Sequence, residues 1–142
     1  MVDVKISIIP STDEDIGMAK IERFEELQSW QKGRQLANLV YDLTEHPKFS
    51  KDFRLCGQIQ DAAGSIMHNI AEGFDSGTNP EFIRFLKMSR CSASEVQSEL
   101  YLALDRKYIT QKELDTAYNL ATETKKLING LIAYLRKSKP PN

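Results

Sequence analysis

The 142 residues carry 19 basic and 20 acidic side chains, a net charge of -1, and 41% apolar residues. That is enough for one domain around one core, and it supplies no global field to draw the molecule to nucleic acid. No apolar window approaches the roughly 18 residues of a membrane span, and the chain opens with no basic-then-apolar leader, which points to the cytoplasm and away from a membrane.

Residues 1–23 form an N-terminal extension. Val2, Val4, Ile6 and Ile8 alternate with Asp3, Lys5 and Ser7, the period of a half-buried strand, until Pro10 stops it. A lone strand must pair with another copy, lie across the rest of the chain, or stay unpaired. Asp13, Glu14, Asp15 and Gly17 follow as a solvated linker.

From about Leu27 to His46 the period becomes helical, with Leu27, Trp30, Leu36, Leu39, Val40 and Leu43 at threes and fours, and Pro47 ends the run. Gly33 interrupts this helix at a cost of about 1 kcal/mol relative to alanine, which a close helix contact would explain. A second helix is expected from near Ser50, with Leu55, Ile59, Ala62, Ile66, Ile70 and Phe74 on its apolar face and a break at Gly73 to Gly77. Thr78-Asn79-Pro80-Glu81 then starts a third: Thr78 or Asn79 can cap, proline suits the first turn, and Glu81 suits the positive dipole end. It runs to about Arg106. Thr110-Gln111-Lys112-Glu113 reads as a capping box for a fourth helix, which ends at Ser138-Lys139-Pro140-Pro141. Four helices of about 20 to 28 residues joined by short loops predict an all-α, antiparallel up-down-up-down four-helix bundle over residues 24–137, with a tail over 138–142.

Two polar stripes break the apolar pattern. Ser65, Asn69 and Glu72 stand at i, i+4 and i+7 on the second helix, and Ser92, Glu95 and Glu99 do the same on the third. A turn centred near residues 76 and 77 would set Asn69 level with Arg84, and Asp61 and Gln58 level with Ser92 and Glu95. Ser65, Asn69, Glu72, Ser92 and Glu95 then read as a structural polar network that fixes register; a ligand or partner site is the functional alternative.

Catalytic chemistry finds little to work with. A carboxylate metal centre in such a bundle needs Glu-x-x-His pairs on two helices, whereas His46 abuts Pro47 and His68 precedes Glu72 by four on one helix only. Cys56 and Cys91 lack zinc spacing and read as reduced thiols. No phosphate loop, dinucleotide fingerprint or nucleophile elbow is present. The chain therefore reads as a non-enzyme with no metal or cofactor.

Arg84, Lys87 and Arg90 recur at threes. They read as a solvated face, or as RNA or DNA phosphate contacts if an oligomer multiplies them. A further basic group, Lys125, Lys126, Arg136, Lys137 and Lys139, lies near the C-terminus. The first helix is apolar on more than one face and the strand-like segment lacks a partner, so a homo-oligomer is expected.

Phe24-x-x-Leu27-x-x-Trp30-Gln31, Gln58-Ile59, Ser65-Ile66-x-x-Asn69-Ile70-Ala71-Glu72-Gly73, Glu81-Phe82-Ile83-Arg84-Phe85-Leu86 and Ser92-x-x-Glu95 resemble the four-helix bundle proteins encoded in 23S ribosomal RNA intervening sequences. The resemblance spans about Phe24 to Leu135. It implies a left-handed bundle assembled as a ring-like homopentamer. It also implies kinship with the accessory protein of diversity-generating retroelements, a pentameric barrel that binds nucleic acid and a reverse transcriptase; for most of the family no activity is established. The function this implies is that of a binding or scaffold module, with an RNA- or DNA-binding accessory protein as the alternative. Gln60 and Asp61 stand where the family commonly has two basic residues, Met67 where it has proline, and Cys91 where it has glycine.

Overall fold

The computed structural model describes residues 20–138; the strand-like segment from Val2 to Ile8 and the tail after Ser138 lie outside them. The fold is an antiparallel up-down-up-down bundle of helices α1 (Gln28–Thr44), α2 (Phe53–Asp75), α3 (Asn79–Asp105) and α4 (Gln111–Lys137). Each helix packs on its neighbours in sequence, and α4 closes back on α1.

The helix ends follow from local chemistry. Helix α1 begins without a side-chain cap; a short 3-10 turn at Phe24–Glu26 leads into it, and Gln31 Nε2 donates to the Glu25 carbonyl at 2.9 Å. Helix α2 starts at Phe53 rather than near Ser50, because Phe49–Lys51 forms its own 3-10 turn and the Asp52 carboxylate caps the Leu55 amide at 3.1 Å. Between α2 and α3 the backbone turns at Gly77, whose φ of 92° lies in the left-handed region glycine favours. Of the two candidate caps for α3, Thr78 is used, accepting from the Glu81 amide at 3.3 Å. At α4 both halves of the capping box form: Thr110 Oγ1 accepts from the Glu113 amide at 3.1 Å, and Glu113 Oε1 accepts from the Thr110 amide at 2.9 Å.

The core draws on every helix, with Leu36, Ile59, Ile66, Phe82, Leu100 and Ile128 all fully buried. Ile21 is buried too, so the core extends past the first helix into residues ahead of it. At one end of the bundle Phe49 stacks on Tyr108 at 5.2 Å, and the Tyr108 hydroxyl donates to Asp52 Oδ2 at 2.9 Å, which pins the α1–α2 loop to the α3–α4 loop. Gly33 marks the expected close contact: a Cβ there would lie 3.2 Å from Ile66 Cγ2 on α2.

Candidate functional site

Helices α2 and α3 form the most intimate pair. A Cβ at Gly73 would lie 2.8 Å from the Phe85 Cβ and 2.9 Å from the Phe82 ring, so only glycine lets the backbones approach this closely. One level further on, the buried Ser89 hydroxyl donates to the Ile66 carbonyl at 2.7 Å. Next, Ser92 Oγ donates to Ser65 Oγ at 3.1 Å, and Asn69 Nδ2 donates to both Ser65 oxygens at 2.8 Å.

These contacts correct the expected register. Ser92 stands opposite Ser65 rather than Asp61, a displacement of about one helical turn, because the close seat of Phe82 and Phe85 on Gly73, and not the midpoint of the turn, sets the level of the pair. Asn69 accordingly falls level with the Lys87–Met88 stretch instead of Arg84. The structure brings Ser65, Asn69 and Ser92 into one hydrogen-bonded chain. Glu72 and Glu95 do not join it, since both are exposed on the outer lip of the groove.

That lip is acidic. From Gln58 to Asp75, α2 contains no lysine or arginine, with Arg54 one heptad before Asp61, and Asp61 and Glu72 lie along the same edge of the helix pair as Glu95 and Glu99 of α3. Glu99 Oε2 is buried with no hydrogen-bond partner among the described residues. Burial, reinforced by the charge of the neighbouring Glu95 carboxylate, pushes the Glu99 carboxyl up to about 7. The polar stripe of α3 was readable from its spacing; which member would be buried was not, because the burial comes from the facing helix. Met88, Glu95 and Leu102 recur at sevens on α3, with Leu102 48% exposed and Met88 43%, whereas Phe53, 84% exposed, stands on the α1 side of α2 in line with Gln60 and Met67, which meet Thr44 and Gly33. Gly57, on the outward face of α2, has open space where a Cβ would be.

The opposite edge of the bundle, between α1 and α4, is a shallow groove of about 370 Å³ lined by Gln28, Lys32, Glu123, Lys126 and Leu127. Lys32 pairs with Glu123 at 3.4 Å, leaving Lys126 as excess positive charge. Gln28 Oε1 is buried here without a partner among the described residues. Gly130 continues the stripe of Glu123 and Leu127, and it too has open space at its Cβ. A helical glycine with nothing against it costs about 1 kcal/mol relative to alanine, and the protomer gives no steric reason for either one. A second surface groove, of about 540 Å³, runs along α1 past Trp30, Arg34 and Leu39, where Trp30 packs on Phe24 and under the Arg34 guanidinium.

The expected phosphate contacts are divided by the structure. Arg84 pairs with Glu81 at 3.0 Å and lies 4.7 Å over the Phe85 ring. Arg90 donates to Asn129 Oδ1 at 2.8 Å, while Lys87 is exposed. His46 Nε2 meets Glu113 Oε2 at 2.6 Å, tying the end of α1 to the cap of α4. His68 lies against Gly64 of its own helix. Cys56 donates to the Phe49 carbonyl, and Cys91 is exposed. Among the described residues no three His, Cys, Asp or Glu side chains stand together as a metal site, and no helix is long and apolar enough to cross a membrane.

The sequence profile of a family described as "23S rRNA-intervening sequence protein" matches residues 25–130. The chain belongs to this family. It is also similar to a solved protein of unknown function from the S23 ribosomal protein family of Bacteroides thetaiotaomicron. The two are 26% identical with a TM-score of 0.68, over 73% of this chain and 97% of that one. No curated protein matches. The family match and the structural likeness agree on the bundle; the neighbour brings no activity with it.

Proposed function

We propose that the chain is a non-enzymatic, self-associating helical bundle that serves as a binding or scaffold module in the cytoplasm. The α2–α3 edge carries this reading, because it places Met88 and Leu102 in solvent on the same helix face as a buried carboxylate oxygen with no partner. A protomer that lives alone gains nothing from either feature, whereas an interface covers the first and satisfies the second. Family resemblance supports five copies as the assembly.

Sedimentation equilibrium of the full chain tests the reading. The expected mass is a multiple of 16.2 kDa, five-fold for a pentamer, and a mass of one chain across the micromolar range would overturn it. A nucleic-acid partner has weaker support, since Arg84 and Arg90 already have partners within the protomer. Salt-dependent retention on RNA or DNA columns would raise that alternative.

A further inference from the structure

We propose that neighbouring copies meet head to tail, the acidic α2–α3 edge of one copy seated against the α1–α4 groove of the next, with Glu95 and Glu99 facing Lys32 and Lys126. The inference rests on the self-association proposed above and names the two surfaces that make it.

Three independent features single out these edges. The first is charge. The α2–α3 edge sets Asp61, Glu72, Glu95 and Glu99 along one side of the bundle, against Arg54, one heptad before Asp61 on α2, and Arg84, which is already paired with Glu81. The α1–α4 groove offers two lysines against one glutamate. Two acidic edges repel, so a self-complementary two-fold contact through α2–α3 is disfavoured, and the attractive pairing is with the other edge.

The second feature is unsatisfied polarity. Only three buried side-chain polar atoms lack a hydrogen-bond partner among the described residues, Gln28 Oε1, Ser29 Oγ and Glu99 Oε2. One lies at each of the two edges, with Ser29 adjacent in sequence to Gln28. Native proteins satisfy such atoms, and a lysine from one copy set beside Glu99 of another would do so. The third is an open glycine. Gly130, on the stripe of Glu123 and Leu127, has nothing in the space a Cβ would take. A helix surface stripped of side chains lets a second helix come close. Because the two surfaces differ and lie on opposite sides of the bundle, the contact is heterologous: it closes into a ring or runs on as a filament.

Charge reversal tests the pairing. Glu95→Lys with Glu99→Lys, and separately Lys32→Glu with Lys126→Glu, should each weaken association about a hundredfold or more. The chain bearing all four changes should assemble again, as should a mixture of the two reversed proteins. A quadruple variant that stays monomeric overturns the pairing. Gly130→Tyr provides a variant that need not disturb the fold, since its site is open; it should sediment as a single chain with unchanged circular dichroism. If the wild type is oligomeric and Gly130→Tyr and both reversed proteins still assemble, these surfaces are wrong while self-association stands. If the wild type is itself a monomer, both readings fall.

Discussion

At the scale of single residues, the two kinds of glycine should answer oppositely to alanine. At Gly73 the new methyl would meet the Phe85 Cβ and the Phe82 ring below 3.0 Å and the Phe82 carbonyl at 3.3 Å. Neither a Cβ nor a carbonyl can swing aside, so α2 and α3 must separate. Gly73→Ala should therefore cost about 1 to 3 kcal/mol, read as a lower urea midpoint. Gly130→Ala in dilute protein should instead gain up to about 1 kcal/mol from helix propensity alone. Glu99 sets a pH dependence. Its folded-state pKa of about 7 lies above the ordinary 4.5, so the folded protomer binds a proton that the unfolded chain has released. The stability this contributes is present below pH 4.5 and is lost as pH rises through 7. Glu99→Gln keeps the shape without the charge. In dilute, unassembled protein it should stabilise the fold at pH 8 by about 1 kcal/mol once solvent screening of this half-exposed group is allowed for, read as a higher melting temperature, and change little at pH 4. An equal effect at both pH values would show that the charge is not the cause.

At the scale of elements, the caps hold the bundle's ends and also explain what could be read without coordinates. Glu113 serves α4 twice, closing the box with Thr110 and receiving His46 from the end of α1. The Thr110 amide first, and His46 after it, hold its carboxyl below the usual range. That stabilisation is present above pH 4.5 and fades as pH falls through the depressed pKa. Thr110→Ala should cost about 1 kcal/mol, a few degrees of melting temperature in a chain this size. Such caps are legible in sequence because every atom involved lies within four residues. The open space at Gly57 and Gly130 is another matter, since it depends on what other helices leave empty. The α2–α3 register shows how little separates the two cases. One turn of displacement, set by the seat of Phe82 and Phe85 on Gly73, moved Ser65 opposite Ser92 and left Glu72 and Glu95 exposed instead of inside the network. Spacing identified the polar stripes; only the packing of one helix on the other decided which members are buried.

At the scale of the whole molecule, a small bundle with two unlike edges should draw part of its stability from its neighbours. Whatever binds only the folded chain stabilises it by mass action, and for a homo-oligomer the binding partner is the protein itself. Raising the concentration tenfold should then add on the order of 1 kcal/mol per chain, lifting the melting temperature by about 2 to 4 °C. Gly130→Tyr, which leaves the protomer's own packing untouched but fills the open space on one edge, should give a melting temperature that does not move with concentration. Salt separates the sources of the effect. A contact carried by Glu95 and Glu99 against Lys32 and Lys126 weakens as ionic strength shortens the range of exposed charges to a few ångströms. A contact carried by Met88 and Leu102 alone would hold or strengthen in a strongly hydrated salt such as sulfate. Chloride should therefore flatten the concentration dependence of the wild type toward that of Gly130→Tyr. A wild-type slope unchanged between 0.05 and 1 M chloride, taken here as roughly the span over which the screening length falls severalfold, would assign the contact to apolar burial instead.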